Sequence, residues 1–153
     1  MRGKLGRQDM DLRKNYPRSP REKLAGYVHL SRMLDKCRAT LAGTQGEYIY
    51  PCPMDQRLLD FAGITGEQFA NAARGKDDAA VAEWFKKAAK PHSSDEIERW
   101  NQGFLTGGPD TDEKRDYFKK LRDAADPTRT DITAWADLLD LDEKRPVPKR
   151  TGR

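Results

Sequence analysis

The fold class is decided by residues 19–43, which read SPREKLAGYVHLSRMLDKCRATLAG. Ser19 and Glu22 have the spacing of a capping box, and Pro20 suits the first position of a helix. We therefore predict a helix that begins at Ser19, continues to about Ala42 and ends at Gly43. Its apolar residues recur every three or four positions and form one stripe, made of Tyr27, Leu30, Leu34, Cys37 and Leu41.

Six more helices are predicted beyond this one, because start and stop signals recur along the chain. A capping-box pattern begins at Thr65 and another at Ser93, and an acidic cap is expected at Asp55. The predicted helices cover roughly residues 55–62, 65–74, 77–90, 93–106, 110–126 and 130–139. The sequence thus predicts an all-α fold, a compact single-domain bundle of about seven short helices with one extended Tyr/Pro connector.

Length and composition agree with one small domain. The chain has 153 residues, of which 36% are hydrophobic and 35% are charged. A chain of this length buries roughly two thirds of its unfolded surface, so it needs no disulfide or metal ion to fold. The composition favours a small core surrounded by strongly charged helices.

Charge is unevenly distributed along the chain. Residues 1–23 carry eight Lys or Arg and three acids, whereas residues 24–142 carry sixteen and twenty-one. Residues 143–153 carry five basic residues and one acid. We predict a basic N-terminal tail at 1–18, a helical domain at 19–142 and a basic C-terminal tail at 143–153, and we expect both tails to be loosely ordered.

The sequence favours a cytoplasmic protein without a cofactor. No apolar run reaches the roughly 20 residues of a membrane span, and the basic N-terminus is not followed by an apolar segment. Cys37 and Cys52 have neither the spacing of metal ligands nor that of a short redox pair. The acidic runs at 110–113 and 140–143 lack the spacing of a calcium loop, so no metal site is predicted.

The connector between the first two helices is the best candidate for a functional site. Residues 43–55 read GTQGEYIYPCPMD. Pro51 and Pro53 disfavour helical backbone in the residues before them, so we expect an extended segment. Side chains alternate along such a segment, which places Tyr48, Tyr50 and Cys52 on one face.

Two interpretations of this connector remain open. The phenols and the thiol could line a site for a protein partner or a small ligand, together with Glu47, Asp55 and Arg57, which lie nearby in sequence. Alternatively, the tyrosines fill the gap between two helices and their hydroxyls bind backbone groups. The first interpretation gives the leading hypothesis, a helical module that binds a partner or ligand without catalysis.

Cys52 suggests an alternative function, that of a thiol-dependent enzyme. The thiol precedes the start of a helix, whose dipole favours the thiolate. A cysteine nucleophile also needs a base, and only His29 and His92 are available. The helical wheel places His29 opposite the apolar stripe, facing water. His92 lies in a linker. The sequence therefore predicts neither histidine close to Cys52. Cys37 lies in the stripe, so we expect it to be a small apolar residue that packs in the core.

A further alternative is a function associated with RNA or the ribosome. The basic tails could contact phosphates, although they lack the interleaved aromatic residues that stack on bases. Arg32 and Lys36 lie on the polar face of the first helix, where we expect an ordinary solvated surface.

Six segments of the chain together have the pattern of a known family: Pro17–Leu24, Asp35–Ala39, Gly46–Tyr48, Pro53–Arg57, Arg129–Ile132 and Leu138–Glu143. Through them the chain resembles domain-of-unknown-function family 5069, a family of bacterial proteins. The resemblance spans about residues 12–148. It implies a bacterial cytoplasmic domain that stands alone, and it implies no activity or catalytic residues.

Overall fold

The computed structural model describes residues 10–150 and contains seven α-helices and one short antiparallel pair of strands. The elements are named in chain order. Their bounds are β1 Lys23–Leu24, β2 Tyr27–Val28, α1 Leu30–Ala42, α2 Pro53–Ala62, α3 Gly66–Ala73, α4 Asp78–Ala88, α5 Ser94–Thr106, α6 Asp112–Ala125 and α7 Trp135–Asp142. The predicted all-α class and the predicted seven helices are confirmed. None of the helices in residues 10–150 is long and apolar enough to cross a bilayer.

The predicted start of the first helix is wrong, because the chain forms a hairpin before α1. Strand β1 pairs with β2 so that Leu24 lies opposite Tyr27. The two residues between them, Ala25 and Gly26, have φ angles of 57° and 87°, and His29 has a φ of 72°. Right-handed helix requires negative φ, so α1 can begin only at Leu30. The pattern at Ser19 belongs to a local turn, in which Ser19 Oγ accepts a hydrogen bond from the Arg21 amide.

Most other helix starts follow the predicted signals. Thr65 and Ser93 are N-caps with complete capping boxes. Two starts differ. Helix α2 begins after Cys52, and Asp55 is its third residue rather than its cap. Helix α7 begins at Trp135 instead of residue 130, because residues 127–134 form turns.

The main core lies where α1 meets the hairpin and helices α2 to α4. The predicted stripe of α1 contributes most of its residues to this core, whereas Leu41 is 37% exposed near the end of the helix. Ring contacts connect the hairpin to the helices, since Tyr27 packs edge-on against Phe85 with centroids 5.0 Å apart. The largest fully buried side chains of this cluster are Leu30, Met33, Leu34, Leu58, Leu59, Phe69 and Phe85.

A second, smaller apolar cluster joins α6 to α7. Its buried members are Phe118, Ile132, Leu138 and Val147. Phe118 packs edge-on against Trp135 with ring centroids 4.9 Å apart. Val147 belongs to the chain after α7, so this segment packs against the domain as well.

The division of the chain into a helical domain and two basic tails stays a prediction. Residues 1–9 and 151–153 lie outside the described range. Within that range, Arg150 donates to Asp137 Oδ1 and Oδ2 at 2.7 and 2.8 Å. Arg145 donates to Glu143 at 2.6 Å and also binds the carbonyl of Pro17. Residues 143–150 therefore contact the domain instead of extending loosely from it.

Helix α1 is enclosed on all sides over most of its length. All ten residues from Leu30 to Ala39 are buried, including the charged ones. Its apolar stripe faces the main core, and its polar face is covered by the connector, by α2 and by residues after α7. The position of these buried charges defines the candidate site.

Candidate functional site

The connector between α1 and α2 is held at its first half by backbone contacts. Gly43 has a φ of 73° and ends α1 in the left-handed conformation. The Leu12 amide donates to the Thr44 carbonyl at 2.9 Å. A Cβ on Gly46, which has a φ of 60°, would lie 3.2 Å from the Leu12 carbonyl oxygen. Glycine at position 46 therefore allows the N-terminal segment to lie directly against the connector.

The second half of the connector is held by three side chains that point into the domain. Tyr48 Oη donates to Glu143 Oε2 at 2.8 Å, and Tyr50 Oη donates to the carbonyl of Gly66 at 2.7 Å. Cys52 Sγ lies 3.0 Å from Lys36 Nζ. Ile49, between the two tyrosines, is 67% exposed. Half-buried and exposed side chains thus alternate from residue 48 to residue 52, although the backbone bends at residues 50 and 51, where the Tyr50–Pro51 peptide bond is cis, instead of being extended throughout.

Asp55 is the centre of a buried polar cluster at the start of α2. One carboxylate oxygen accepts from His29 Nε2 at 2.7 Å. The other accepts from Lys36 Nζ at 2.8 Å and from the Cys52 amide at 2.9 Å. Asp55, His29 and Lys36 are all buried, so each polar atom depends on its partner here. We call Cys52, Lys36, Asp55 and His29 the Asp55 cluster.

The protonation states within the Asp55 cluster follow from burial and pairing. Burial alone would raise the pKa of Asp55, but hydrogen bonding to His29 and the charge of Lys36 outweigh it and hold that pKa below its ordinary value. Burial lowers the pKa of His29, and the neighbouring carboxylate only partly opposes this shift. Neutral His29 then donates from Nε2, which agrees with Nδ1 being a buried atom with no hydrogen-bond partner in residues 10–150.

The contact between Lys36 Nζ and Cys52 Sγ brings a thiol into the Asp55 cluster. Cys52 is half-buried, whereas the other three residues of the cluster are buried. Lys36 donates to the Cys52 sulfur from α1, and Cys52 is also the N-cap of α2. A buried cation and a helix N-terminus therefore both lie beside the thiol.

A second polar cluster attaches Tyr48 to α1 and to the end of α7. The Arg32 guanidinium donates to both oxygens of Glu143, at 2.9 and 2.7 Å. Glu143 also accepts from Tyr48 and from Arg145. Arg32 and Glu143 are both buried, and their pairing is of the bidentate kind that satisfies both groups. We call Arg32, Glu143, Tyr48 and Arg145 the Glu143 cluster.

Ionisation in the Glu143 cluster is also set by burial on one side and by hydrogen bonds and charges on the other. Burial would raise the pKa of Glu143, but hydrogen bonding and charge from Arg32 lower it overall. Burial and the bond to Glu143 raise the pKa of Tyr48. Tyr48 is therefore a neutral phenol that donates to a carboxylate, which is a positioning role in the folded protein.

A third charged cluster lies farther along α1. Arg18 donates to both oxygens of Asp35 at 3.0 and 3.1 Å and to Asp78 at 2.8 Å. Arg38 donates to the same Asp78 at 2.9 Å. Hydrogen bonds from the two arginines lower the pKa of Asp78 despite partial burial. This cluster links the segment before the hairpin, α1 and the start of α4.

The outward side of the connector carries the remaining candidate residues. Glu47 and Arg57 are exposed, as are Pro51 and Pro53. The Arg57 guanidinium carbon lies 4.9 Å from the centroid of the Phe104 ring, a cation–π contact that restrains its direction. With Ile49, these residues form the exposed surface of residues 47–57, which we call the outer connector face.

The structure separates the six predicted site residues into two groups. Tyr48, Tyr50, Cys52 and Asp55 contact the domain, whereas Glu47 and Arg57 are exposed. The hydroxyl of Tyr50 binds backbone, as the packing interpretation of the connector expects. Whether the six residues form a binding site stays a prediction.

The sequence predicts the wrong surroundings for His29, which precedes α1, and for two residues of α1. His29 was expected to face water, and Arg32 and Lys36 were expected on a solvated face, but all three are buried and hydrogen-bonded. Glu143 is also missed, because it lies where the acidic run 140–143 meets the predicted tail 143–153. The helical wheel gives the direction of a side chain but not what covers it, so no local signal identified these residues.

The two cysteines lie in different surroundings. Cys37 is fully buried in the main core, as predicted, and burial raises its pKa to about 11. His92 stacks on Phe61 with ring centroids 4.0 Å apart, and it is not part of the Asp55 cluster. Among residues 10–150, no group of three His, Cys, Asp or Glu side chains has a metal-binding arrangement.

The alternative function in RNA or ribosome binding depends on the basic tails. In the part of the C-terminal tail that the structure describes, Arg145 pairs with Asp140 and Glu143, and Arg150 pairs with Asp137. These cations are engaged in the folded domain. Four further basic residues of the tails, Arg2, Lys4, Arg7 and Arg153, lie outside the described range, so the alternative stays a prediction.

Together, these features define a single helical domain whose first helix is enclosed by three charged clusters. Residues 14–145 match the family described as domain of unknown function DUF5069. The chain belongs to this family, which confirms the resemblance. No curated protein matches the chain.

Proposed function

We propose that the protein is a non-catalytic binding module of the cytoplasm whose outer connector face contacts a protein partner. The observation that carries this proposal is Ile49, a large apolar side chain that is 67% exposed in the middle of an anchored connector. A single exposed apolar residue is common on protein surfaces. Ile49 is a better candidate for a partner contact than most such residues, because its connector is held in place and its neighbours suit a protein interface.

The support comes from the inward side chains of the same connector. Tyr48 and Tyr50 flank Ile49, and each hydroxyl is held by a hydrogen bond of 2.8 or 2.7 Å. Asp55 then fixes the Cys52 amide at the start of α2. A side chain presented from a rigid segment loses little conformational freedom on binding, which favours affinity. Tyr48, Tyr50, Cys52 and Asp55 are thus positioning residues in this proposal.

The neighbours of Ile49 suit a protein rather than a small polar ligand. Pro51 and Pro53 are exposed on the same connector and are apolar and stiff. Glu47 and Arg57 add one charge of each sign beside them. An apolar centre with a polar rim is the usual composition of a protein interface. We expect the partner to offer an apolar pocket for Ile49 and polar groups around it.

The test is site-specific photo-crosslinking in cells that express the protein. A photoreactive residue at position 49 should give one dominant crosslinked partner, whereas the same residue at position 117 should not. Tyr117 is the matched control, because it is also a large exposed side chain, at 57%. In the purified complex, Ile49→Asp should weaken binding at least tenfold, while Tyr117→Asp leaves it unchanged. Equal crosslinking from both positions would contradict the proposal.

A second candidate function is thiol chemistry at Cys52. It is favoured by one observation, the 3.0 Å contact between Lys36 Nζ and Cys52 Sγ. In this reading the Cys52 thiolate attacks an electrophilic centre of a substrate, forms a bond to it and displaces a leaving group. The Asp55 carboxylate holds Lys36 in place beside the sulfur.

Selective alkylation tests this candidate, with Cys37 as an internal reference. Iodoacetamide at neutral pH should modify Cys52 rapidly in the folded protein and leave buried Cys37 unmodified, as mass spectrometry will show. The variant Lys36→Met should slow the modification of Cys52 at least tenfold while Cys37 stays protected, which reports that the fold is intact. An unchanged rate at Cys52 under these conditions would remove the candidate.

A further inference from the structure

A small cavity opens on a side of the molecule that the connector does not form. It has a volume of about 300 Å³ and lies between the end of α1 and the turn that follows α3. This volume is at the lower limit of sites for small molecules. The wall is formed mainly by Arg38, Leu41, Ala42, Ala73, Arg74 and Lys76.

The wall of this cavity is strongly cationic. It contains three basic side chains and no carboxylate. Arg74 and Lys76 are exposed, and neither side chain forms an ion pair with any residue between 10 and 150. Their charges are therefore available to a ligand.

Arg38 differs from the other two cations because it is buried and fixed. Its side chain donates to Asp78 at 2.9 Å through Nη1 and to the Lys76 carbonyl at 2.8 Å through Nη2. Its Nε is buried and has no hydrogen-bond partner in the described part of the chain. Asp78 offsets the charge of Arg38, so the positive charge that the cavity offers to a ligand comes from Arg74 and Lys76.

The remaining wall is apolar and determines the rest of the ligand. Leu41 is one of the few large apolar side chains that are substantially exposed, at 37%, and Ala42 and Ala73 lie beside it. Covering Leu41 with an apolar group would remove its surface from water, which is favourable.

We propose that this cavity is a binding site for a small organic anion. The ligand carries one phosphate or carboxylate, which contacts Arg74 and Lys76 in front of Arg38, and a short apolar body that covers Leu41. Arginine and lysine bind both kinds of anionic group through charge-assisted hydrogen bonds. The site is separate from the outer connector face and does not depend on a function for that face.

The competing explanation is that these cations only offset helix dipoles. Helices α1 and α3 both end at this cavity, at Ala42 and Ala73, and basic residues are common at the C-termini of helices. That explanation predicts a lower thermal stability when Arg74 and Lys76 are neutralised, and no effect of anions. The proposed site predicts that anions bind and that their binding is lost in the same variant.

The experiment is an NMR titration of the full chain at constant ionic strength. The probes are phenyl phosphate, benzoate, inorganic phosphate and uncharged phenol. Phenyl phosphate or benzoate should shift the amide signals of Ala42, Ala73 and Gly75, and phenol should not. The relative affinity of phenyl phosphate and benzoate then distinguishes a phosphate site from a carboxylate site.

Variants assign the binding to named residues. Arg74→Gln with Lys76→Gln should weaken binding of the preferred probe at least tenfold, whereas Lys86→Gln with Lys87→Gln, an exposed pair on α4, should not. Leu41→Ser should weaken phenyl phosphate more than inorganic phosphate. If the charge variant loses thermal stability, the single variants carry the same test. Equal affinity in the charge variant and its control, or shifts scattered over the surface, would overturn the proposal.

Discussion

Helices α1 and α6 have similar lengths, 13 and 14 residues, and both carry charged side chains, four in α1 and nine in α6, yet they use those side chains in opposite ways. The charged side chains of α1 are buried and pair with residues far along the chain, as Arg32 does with Glu143. Those of α6 are exposed and pair within one turn, as Lys119 does with Asp123. The charged residues of a helix therefore do not show whether that face of the helix is buried. Its burial depends on elements that lie elsewhere in the sequence.

The two helices also differ in what their ion pairs contribute. Exposed pairs one turn apart are screened by water and contribute a few tenths of a kcal/mol each. Buried pairs lose their hydration, so their net contribution is small, but removing one partner leaves a charge without compensation. The charges of α1 therefore fix how the connector and the end of α7 meet the helix. The charges of α6 mainly keep its surface hydrated.

The largest effect is expected from breaking the pair between Arg32 and Glu143. Glu143→Leu leaves the Arg32 guanidinium buried without its bidentate partner and removes the acceptor of Tyr48. We expect the free energy of unfolding to fall by about 3–5 kcal/mol, which is a large part of the stability of a small domain. Urea denaturation measures the change.

The double variant Arg32→Met with Glu143→Leu is the control for this prediction. It removes both charges and replaces them with apolar side chains, so most of the lost stability should return. If the single and double variants have equal stability, the cost does not come from the unpaired charge.

An intermediate effect is expected from acid, and it begins at His29. Burial lowers the pKa of His29 in the folded protein, whereas in the unfolded chain this histidine has a pKa of about 6.5. As pH falls through that value, the unfolded state takes up a proton that the folded state does not, so stability falls. We expect a loss on the order of 1 kcal/mol between pH 7 and pH 5, measured by urea denaturation at each pH.

His29→Gln isolates this contribution. The variant should show a flatter profile between pH 7 and pH 5. Both proteins should lose further stability below about pH 4, where carboxylates such as Asp55 and Glu143, whose pKa values are lowered on folding, become protonated. Identical slopes between pH 7 and pH 5 would show that His29 does not titrate differently in the two states.

The smallest effect is expected on α6. Lys119→Ala removes an exposed pair with Asp123, in which the two atoms lie 2.8 Å apart. We expect the midpoint of urea denaturation to change by an amount equivalent to less than about 0.5 kcal/mol, and added salt to reduce the difference further. A loss of the size expected for Glu143→Leu would remove the contrast between the two helices.

The fold was predictable where local signals act alone. The capping boxes at Thr65 and Ser93 and the glycine after α1 mark helix ends by bonds within a few residues, so they can be read from the sequence. The start of α1 could not be read this way. Ala25 and His29 adopt positive φ angles that side chains usually avoid, and the surrounding structure imposes them.

The site was predictable in its location but not in its chemistry. Tyr48, Tyr50 and Cys52 all contact the domain, as the predicted alternation requires, although the connector is not extended throughout. The partners of those side chains lie as far away as Glu143, and no spacing rule connects residues 95 positions apart. The helical wheel therefore predicts a solvent-facing His29, although this side chain contacts Asp55.

The contacts between the two ends of the domain have a consequence for its synthesis. Ser19 donates to Asp140 at 3.0 Å, Arg21 pairs with Asp137, and the carbonyl of Pro17 accepts from Arg145. These pairs join the start of the domain to its end, and Ser19 and Asp140, for example, are 121 positions apart. Until α7 has emerged, α1 has no Glu143 to bind Arg32, so its charged face stays hydrated. The domain therefore completes its fold only after α7 and Glu143 have left the ribosome.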